Sequence, residues 1–517
     1  MARAGAVALL PSLLAAGSGA RDAGGAPPAV LTGAIRWDAW FGAPAAPHEG
    51  IIGRATTKAL EPAKFHYRLP FFSKIKADGS VEVNGDSAAV MAQENKFATQ
   101  HGIDYYAFCT CTSTLRDGRC RLLLILSAAA TDPIGCSDYS PPDSACVGAQ
   151  CCADNYKLSY ALERYLASPE PKPRFSLILQ ANSWYPGVNH GSNETLEQEA
   201  ARYTRYFALP AYQKVAGNRP LVFLLGGSAA VPHLPEALDL LRQRSTAAGL
   251  GEPFFFMMQN APTLAALRKL ANSSLALGAS GLSQYNLVGN RTTAGFPYAE
   301  NMRFEQGWWR DAAATGMSVV VPVSAGWDSR PRQESVMPWG DAGNKRCLTQ
   351  LGHECWLEDP TMPQLTEQTK AALEFASRMG VAEGDSAVRS VLLSAWNEND
   401  EGHWIIPSLQ QGPAKLEAVA KAITAHKQRR EEYWQKLKTD DKSSRPDVGA
   451  IYCKCTCQTV CFRLSSAKCD RTLLHNSRRL GTRSLDGGGA RRQLDGVAAA
   501  DQRAATLPGP SPAQPAD

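Results

Sequence analysis

Eight short apolar segments recur along this chain, and each is followed by a stretch with the spacing of an amphipathic helix. The segments are Val30–Ile35, Ile103–Cys109, Phe175–Gln180, Leu221–Leu225, Pro253–Met258, Leu275–Tyr285, Ser318–Val323 and Val388–Ala395. Helical patterns follow at Ser87–Gln100, Lys157–Ala167, Thr195–Phe207, Pro235–Ala247, Thr263–Ala271, Glu300–Ala314, Leu365–Met379 and Pro413–His426. Thr195 with Gln198 three residues on has the spacing of a capping box. Short apolar runs between such helices fit strands buried on both faces. Eight strand–helix repeats predict an α/β chain folded as a (β/α)8 TIM barrel. An open doubly wound sheet would carry a glycine-rich phosphate turn after its first strand. Here that strand runs into Arg36-Trp-Asp-Ala-Trp-Phe41, which has no glycine to cradle a phosphate. Neither a GxSxG elbow nor a Walker loop is present.

The remaining sequence divides around this repeat. Residues 1–20 hold one early Arg, an apolar run at Ala6–Ala16 and the small residues Ser18 and Ala20, so a secretory signal is expected there. Residues 21–29 read as a flexible Gly/Ala/Pro linker, 30–430 as the catalytic barrel, and 431–517 as a cysteine-containing, low-complexity tail expected to be disordered. The tail's CKCTCQTVC stretch, Cys453–Cys461, lacks the paired CxxC of a zinc finger. Fourteen cysteines, many in the loop insertions Thr110–Asn155 and Asp328–Pro363, point to disulfides and an oxidising compartment. Cys347 and Cys355 close a short loop and are the best candidate bridge. Sequons at Asn193, Asn272 and Asn290 agree with a secreted glycoprotein. A net charge of +5 over 517 residues, with no basic stripe interleaved by aromatics, argues against nucleic acid. No segment after residue 20 approaches the ~18 consecutive apolar residues of a spanning helix.

In a barrel, residues at the C-terminal ends of the strands face the active site. Those positions hold Arg36, Trp37 and Asp38 after the first strand, Tyr105 and Tyr106 in the second, and Trp184 after the third. Tyr285 ends the sixth, Trp327 and Asp328 follow the seventh, and Trp396, Asn397 and Trp404 accompany the eighth. Sugars have apolar ring faces and polar edges, so this mixture of aromatics, amides and acids suits a glycan. Within SAWNENDEGHW (Ser394–Trp404), Glu398 and Glu401 are the candidate catalytic pair. If the turn is helical, their i, i+3 spacing puts both on one face, compatible with the ~5 Å carboxyl separation of retaining glycosidases. A solvated acidic turn is the plainer reading of the same residues. His403 could join the site or cap the turn. Asp400, Glu401 and His403 could in principle bind a metal, but neighbours in sequence seldom all converge on one ion, so neither metal nor cofactor is expected.

Four stretches of the chain resemble the glycoside hydrolase family 99-like group, which includes WbsX-type proteins and, more distantly, endo-α-mannosidases. They are Gly33-Ala-Ile-Arg-Trp-Asp-Ala-Trp-Phe41, Gly102-Ile-Asp-Tyr-Tyr-Ala-Phe108, Gly326-Trp-Asp-Ser-Arg-Pro-Arg332 and Ser394-Ala-Trp-Asn-Glu-Asn-Asp-Glu-Gly402. The last is similar to the family's WNEWxEG signature, and the resemblance spans Val30 to Lys427. It implies a (β/α)8 barrel with retaining chemistry on α-linked sugars. In that chemistry Glu398 would assist the sugar's own 2-hydroxyl, giving an anhydro-sugar intermediate, and Glu401 would be general acid and then base. Asn399 stands where the signature has Trp, and Asp400 where the mannosidases have His. Glycosyl transfer in polysaccharide assembly and non-catalytic carbohydrate binding are the alternative functions.

Overall fold

A computed structural model describes residues 29–37, 40, 51–110, 160–181, 195–231, 233–335, 346–379 and 388–443. They belong to one unit, Met1–Arg445. Asp38, Trp184, the sequon at Asn193, the cysteines between 111 and 159, and the Cys453–Cys461 stretch lie outside the described residues.

All eight expected strands form. They are β1 (Leu31–Arg36), β2 (Tyr105–Thr110), β3 (Arg174–Gln180), β4 (Arg219–Leu225), β5 (Phe254–Met258), β6 (Gly281–Ser283), β7 in two pieces (Ser318–Val319 and Val321–Ser324) and β8 (Ser390–Ser394). Each is parallel to the next, β1 with β2, β2 with β3, β3 with β4, β4 with β5 and β5 with β6. The first piece of β7 pairs with β6 and the second with β8. β8 returns to β1, Leu31 opposite Ser390 and Ala34 opposite Leu393. The ring is therefore a closed (β/α)8 barrel, with no open edge at its seam.

The helices that follow the strands are α1 (Ala88–Gln100), α2 (Tyr160–Ala167), α3 (Leu196–Ala208), α4 (Leu234–Ala247), α5 (Leu264–Ala276), α6 (Tyr298–Ala313), α7 (Met362–Arg378) and α8 (Ala414–Ser443). The capping box expected at Thr195 and Gln198 is formed, and Thr361 with Gln364 makes another on α7. α8 continues past residue 430, where the sequence suggests the tail begins. One strand is shorter than its apolar segment. Leu275 lies in the last turn of α5 and is 58% exposed, so only Gly281–Ser283 of Leu275–Tyr285 is strand.

The strands' alternation separates two apolar regions. Inward side chains such as Ile35, Tyr105, Ile178, Phe223, Phe256 and Leu392 fill the barrel. Outward ones such as Ala34, Tyr106, Leu177, Val222, Phe255 and Leu393 pack beneath the helices. Gly33 is required because a Cβ there would enter the Tyr105 ring. Past the seam, Trp396 N donates to Ile35 O at 2.6 Å and Trp37 N to Asn397 Oδ1 at 3.0 Å. These bonds carry the β8 chain across the mouth of the barrel.

Candidate active site

β8 ends at Ser394 and leads into a small hairpin, with Asn397–Glu398 antiparallel to His403–Trp404. Its turn, Asn399–Glu401, is a single 3-10 turn closed by Gly402 at φ 79°. A Cβ on Gly402 would meet the backbone nitrogen of Asp328 at 2.5 Å, so glycine serves both the left-handed geometry and the close crossing of the loop after β7. In a 3-10 turn, positions i and i+3 eclipse one another. Glu398 and Glu401 accordingly face the same way. One carboxylate oxygen of each, with one His403 nitrogen, all lie within 4.8 Å of one another.

His403 sits between the two acids. Its Nε2 is 2.9 Å from Glu398 Oε2 and 3.0 Å from Glu401 Oε2, and its Nδ1 is 3.1 Å from Ser394 Oγ. Tyr285, just past β6, donates its hydroxyl to Glu398 Oε1. Arg332 donates to Glu401 Oε1 through Nη1 and to Asp400 Oδ2 through Nε at 2.6 Å. Burial opposes the Glu398 charge, but His403, Arg332 and the Tyr285 hydroxyl outweigh it and hold its carboxyl below the ordinary glutamate range. Burial and the Glu398 charge push the Tyr285 hydroxyl well up, so it remains a donor. Glu398 is buried, whereas the Glu401 side chain keeps 24% of its surface. The pair thus has a sealed member and an accessible one.

The two residues between them turn away. Asn399 Nδ2 donates to Arg68 O at 2.6 Å, and Asp400 is fully buried against Arg332. Glu398, Glu401 and His403 therefore form the group among the described residues that could hold a metal ion, not the sequence-adjacent set containing Asp400. The Arg332 guanidinium already neutralises one of its carboxylates.

The structure sorts the remaining candidates. Trp37, Tyr285 and Trp327 are half-buried around the glutamates' hairpin. Several others are structural instead. Tyr105 points into the barrel and binds Ser390 Oγ at 2.9 Å, at the strands' opposite end from the glutamates. Arg36, Tyr106 and Trp396 face the helix layer. There Arg36 Nη1 and Trp396 Nε1 both donate to Glu94 Oε2, at 2.5 and 2.7 Å, and the Tyr106 ring packs on Trp396. Asn397 accepts from the Trp37 amide through its side chain and from Trp40 Nε1 through its carbonyl. Trp404 is buried beneath Lys415, whose Nζ lies 3.4 Å from the ring centre. The Asp328 carboxylate is held by Arg68 and Arg330, and its amide donates to Glu401 O at 2.6 Å. Its role is to fix the glutamates' turn. Sequence reasoning passed over Arg332 as a partner of the pair and left His403 undecided. The Arg332 contact with Glu401 spans 69 residues, a separation that no local pattern signals.

No family model matches the chain, and no curated protein matches it. Solved structures to which it is similar include the GH99 endo-alpha-mannosidase from Bacteroides thetaiotaomicron. In complex with Bis-Tris-propane, that structure is 12% identical with a TM-score of 0.37, over 80% of this chain and 98% of that one. A second structure of the same enzyme is 13% identical with a TM-score of 0.39 over the same shares. The CBM22-1-GH10 modules of Clostridium thermocellum endo-1,4-beta-D-xylanase 10B are 9% identical with a TM-score of 0.33, over 65% of this chain and 64% of that one.

Proposed function

We propose that the chain is a retaining glycoside hydrolase of α-linked glycans that acts in the secretory pathway. The observation that carries this reading is the Glu398/Glu401 pair, with carboxylate oxygens within 4.8 Å, at the end of β8 in a closed barrel. That separation suits retention, in which no water need fit between acid and base in the first step. Glu398, kept ionised by its partners, accepts the proton of the substrate's 2-hydroxyl as that oxygen attacks the anomeric carbon. Glu401, the accessible member, protonates the departing glycosidic oxygen. It then takes a proton from the water that opens the anhydro-sugar, and Glu398 returns its proton to the 2-oxygen. His403 Nε2 links the two carboxylates and keeps them apart. The Cys347–Cys355 disulfide, with Cα atoms 5.9 Å apart, fits an oxidising compartment.

One observation favours a second reading, a glycan-binding barrel without turnover. Arg332 lies on Glu401, and a guanidinium favours the ionised form of a carboxyl that must be protonated to act as an acid. On the hydrolase reading, substrate entry separates this pair. Release of reducing sugar from a panel of α-linked glycans, by wild type and by Glu401→Gln, decides between the two. Turnover by wild type that the variant loses, and that survives chelation of metals, supports the hydrolase. Binding without turnover in both supports the second reading.

A further inference from the structure

Besides Arg68, 5.8 Å from the Trp404 ring centre, three arginines stack on three indoles around the glutamates' hairpin. Arg330 lies 4.0 Å from the Trp356 ring centre, Arg332 5.0 Å from Trp37, and Arg291 5.1 Å from Trp327. Two of them also face acids, Arg330 on Asp328 and Arg332 on Asp400 and Glu401. Arg291 does not. It is exposed, and its one hydrogen bond among the described residues is from Nη2 to Asn286 O, at 3.0 Å. It is tied to the site along two routes. Asn286 follows Tyr285, whose hydroxyl is on Glu398, and Trp327 precedes Asp328, whose amide is on Glu401 O. Asn286 itself is half-buried. Its amide meets Ser324 Oγ at 2.9 Å, and that hydroxyl gives its one hydrogen to Gly326 O at 2.7 Å, so Asn286 is the donor to Ser324 and holds the loop to β7. Among the described residues, a cation with no acidic partner therefore stands on a short loop beside the Glu398/Glu401 pair.

That loop is held in place before any ligand arrives. The Arg291 carbonyl lies 3.2 Å from Cys347 Sγ, and Trp356 N donates to Thr293 O at 3.2 Å, so the disulfide-closed Cys347–Cys355 segment braces it. Bracing lowers the ordering cost of binding. A neutral sugar would leave a guanidinium without a counter-charge at the site. A carboxylate or sulfate ester would accept two of its parallel N–H groups, the geometry in which arginine binds anions most strongly.

We propose that Arg291, stacked on Trp327 in this braced loop, forms an anion-recognising subsite, and that the substrate is a glycan bearing an acidic group on a sugar next to the one cleaved. The proposal rests on the glycan reading of this site. Its test is direct binding in a Glu401→Gln background, by calorimetry, to two matched pairs of probes. An α-linked oligogalacturonide is compared with its methyl ester, and a sulfated malto-oligosaccharide with the unsulfated one. Tighter binding of an acidic member, by about tenfold or more, is expected, with Arg291→Gln abolishing the preference and Arg291→Lys keeping part of it. The pair that shows the preference identifies carboxylate or sulfate as the group recognised. No acidic probe binding above its neutral partner would overturn the proposal, as would a preference that survives Arg291→Gln. Acidic preference without hydrolysis by wild type would sink the hydrolase and leave the subsite standing. Hydrolysis of neutral α-glycans without any acidic preference would do the reverse.

Discussion

Two arginine–glutamate pairs flank the C-terminal end of β8, and they differ in what surrounds them. Behind the strand, Arg36 and Glu94 are 0% and 1% exposed, and Trp396 supplies a further donor to the same carboxylate oxygen. In front of it, Arg332 is 5% exposed and is shared between sealed Asp400 and the 24% exposed Glu401. The first pair has nowhere to go. The second has an accessible member which, on the proposed function, exchanges its partner for a substrate while the arginine keeps Asp400. An ion pair enclosed on all sides is evidence about stability, whereas one graded from core to surface is a place where charge can be rearranged.

The difference makes opposite predictions for the two pairs. Glu401→Gln should lower turnover by about 10²–10⁴-fold, the usual worth of a general acid–base, while leaving the urea midpoint nearly unchanged. A variant that retains wild-type turnover would remove the distinction. Arg36→Met should do the converse. It leaves the Glu94 charge buried without its cation and should cost about 3–5 kcal/mol of stability in equilibrium unfolding. An unaltered midpoint would show that the rear pair is no more structural than the front one.

Tyr285→Phe sharpens the comparison within the front network and should reduce turnover about tenfold. The Glu398 carboxyl is held below its ordinary value of 4.5. The work of its ionised form is therefore present above pH 4.5 and lost as pH falls through the lower folded value. The acid limb of the rate profile should lie below pH 4.5 in wild type and move toward it in Tyr285→Phe. A limb that stays in place would mean the hydroxyl does not support this charge.

An effect on stability alone lies beside β7. Glu305 accepts from Ser324 N at 3.0 Å, and Lys415 Nζ donates to Ala325 O at 3.2 Å, so the two brace consecutive residues. Burial pushes Glu305 up to about 8 and Lys415 down to about 8. The Glu305 contribution is full below the ordinary glutamate value and lost as pH rises through 8. The Lys415 contribution is full above the ordinary lysine value and lost as pH falls through 8. Together they place a stability minimum near pH 8. Chemical denaturation across pH 5–10 should show Glu305→Gln removing the decline below the minimum, and Lys415→Met removing the rise above it.

The barrel was legible because strands buried on both faces must be continuously apolar, and eight such runs have few other solutions. The sixth was overextended because Leu275, an exposed helix residue, carries the same apolar signal as a strand. The glutamate pair was legible because its spacing is local. The aromatic rim was less so. Tyr105 and Tyr106 are neighbours in sequence but face opposite sides of β2, and composition does not say which side is the cleft. Arg36 and Trp396 looked like ligands because they end strands, yet both are bound by Glu94 from α1. Arg332 and His403 depend on contacts that only the closed barrel brings together.

The seam between β1 and β8 also orders the protein's assembly in time. The hairpin just after the strand that completes the ring carries both glutamates, and that strand pairs with the first of the barrel strands in the sequence, as the bond from Trp37 to Asn397 across 360 residues illustrates. A nascent chain that has not yet reached Ser390 has β1 and β7 as unpaired edges and lacks both Glu398 and Glu401. Such edges invite wrong pairing, so the growing chain needs shielding until its last strand emerges. Closure of the ring and arrival of the Glu398/Glu401 pair then come almost together.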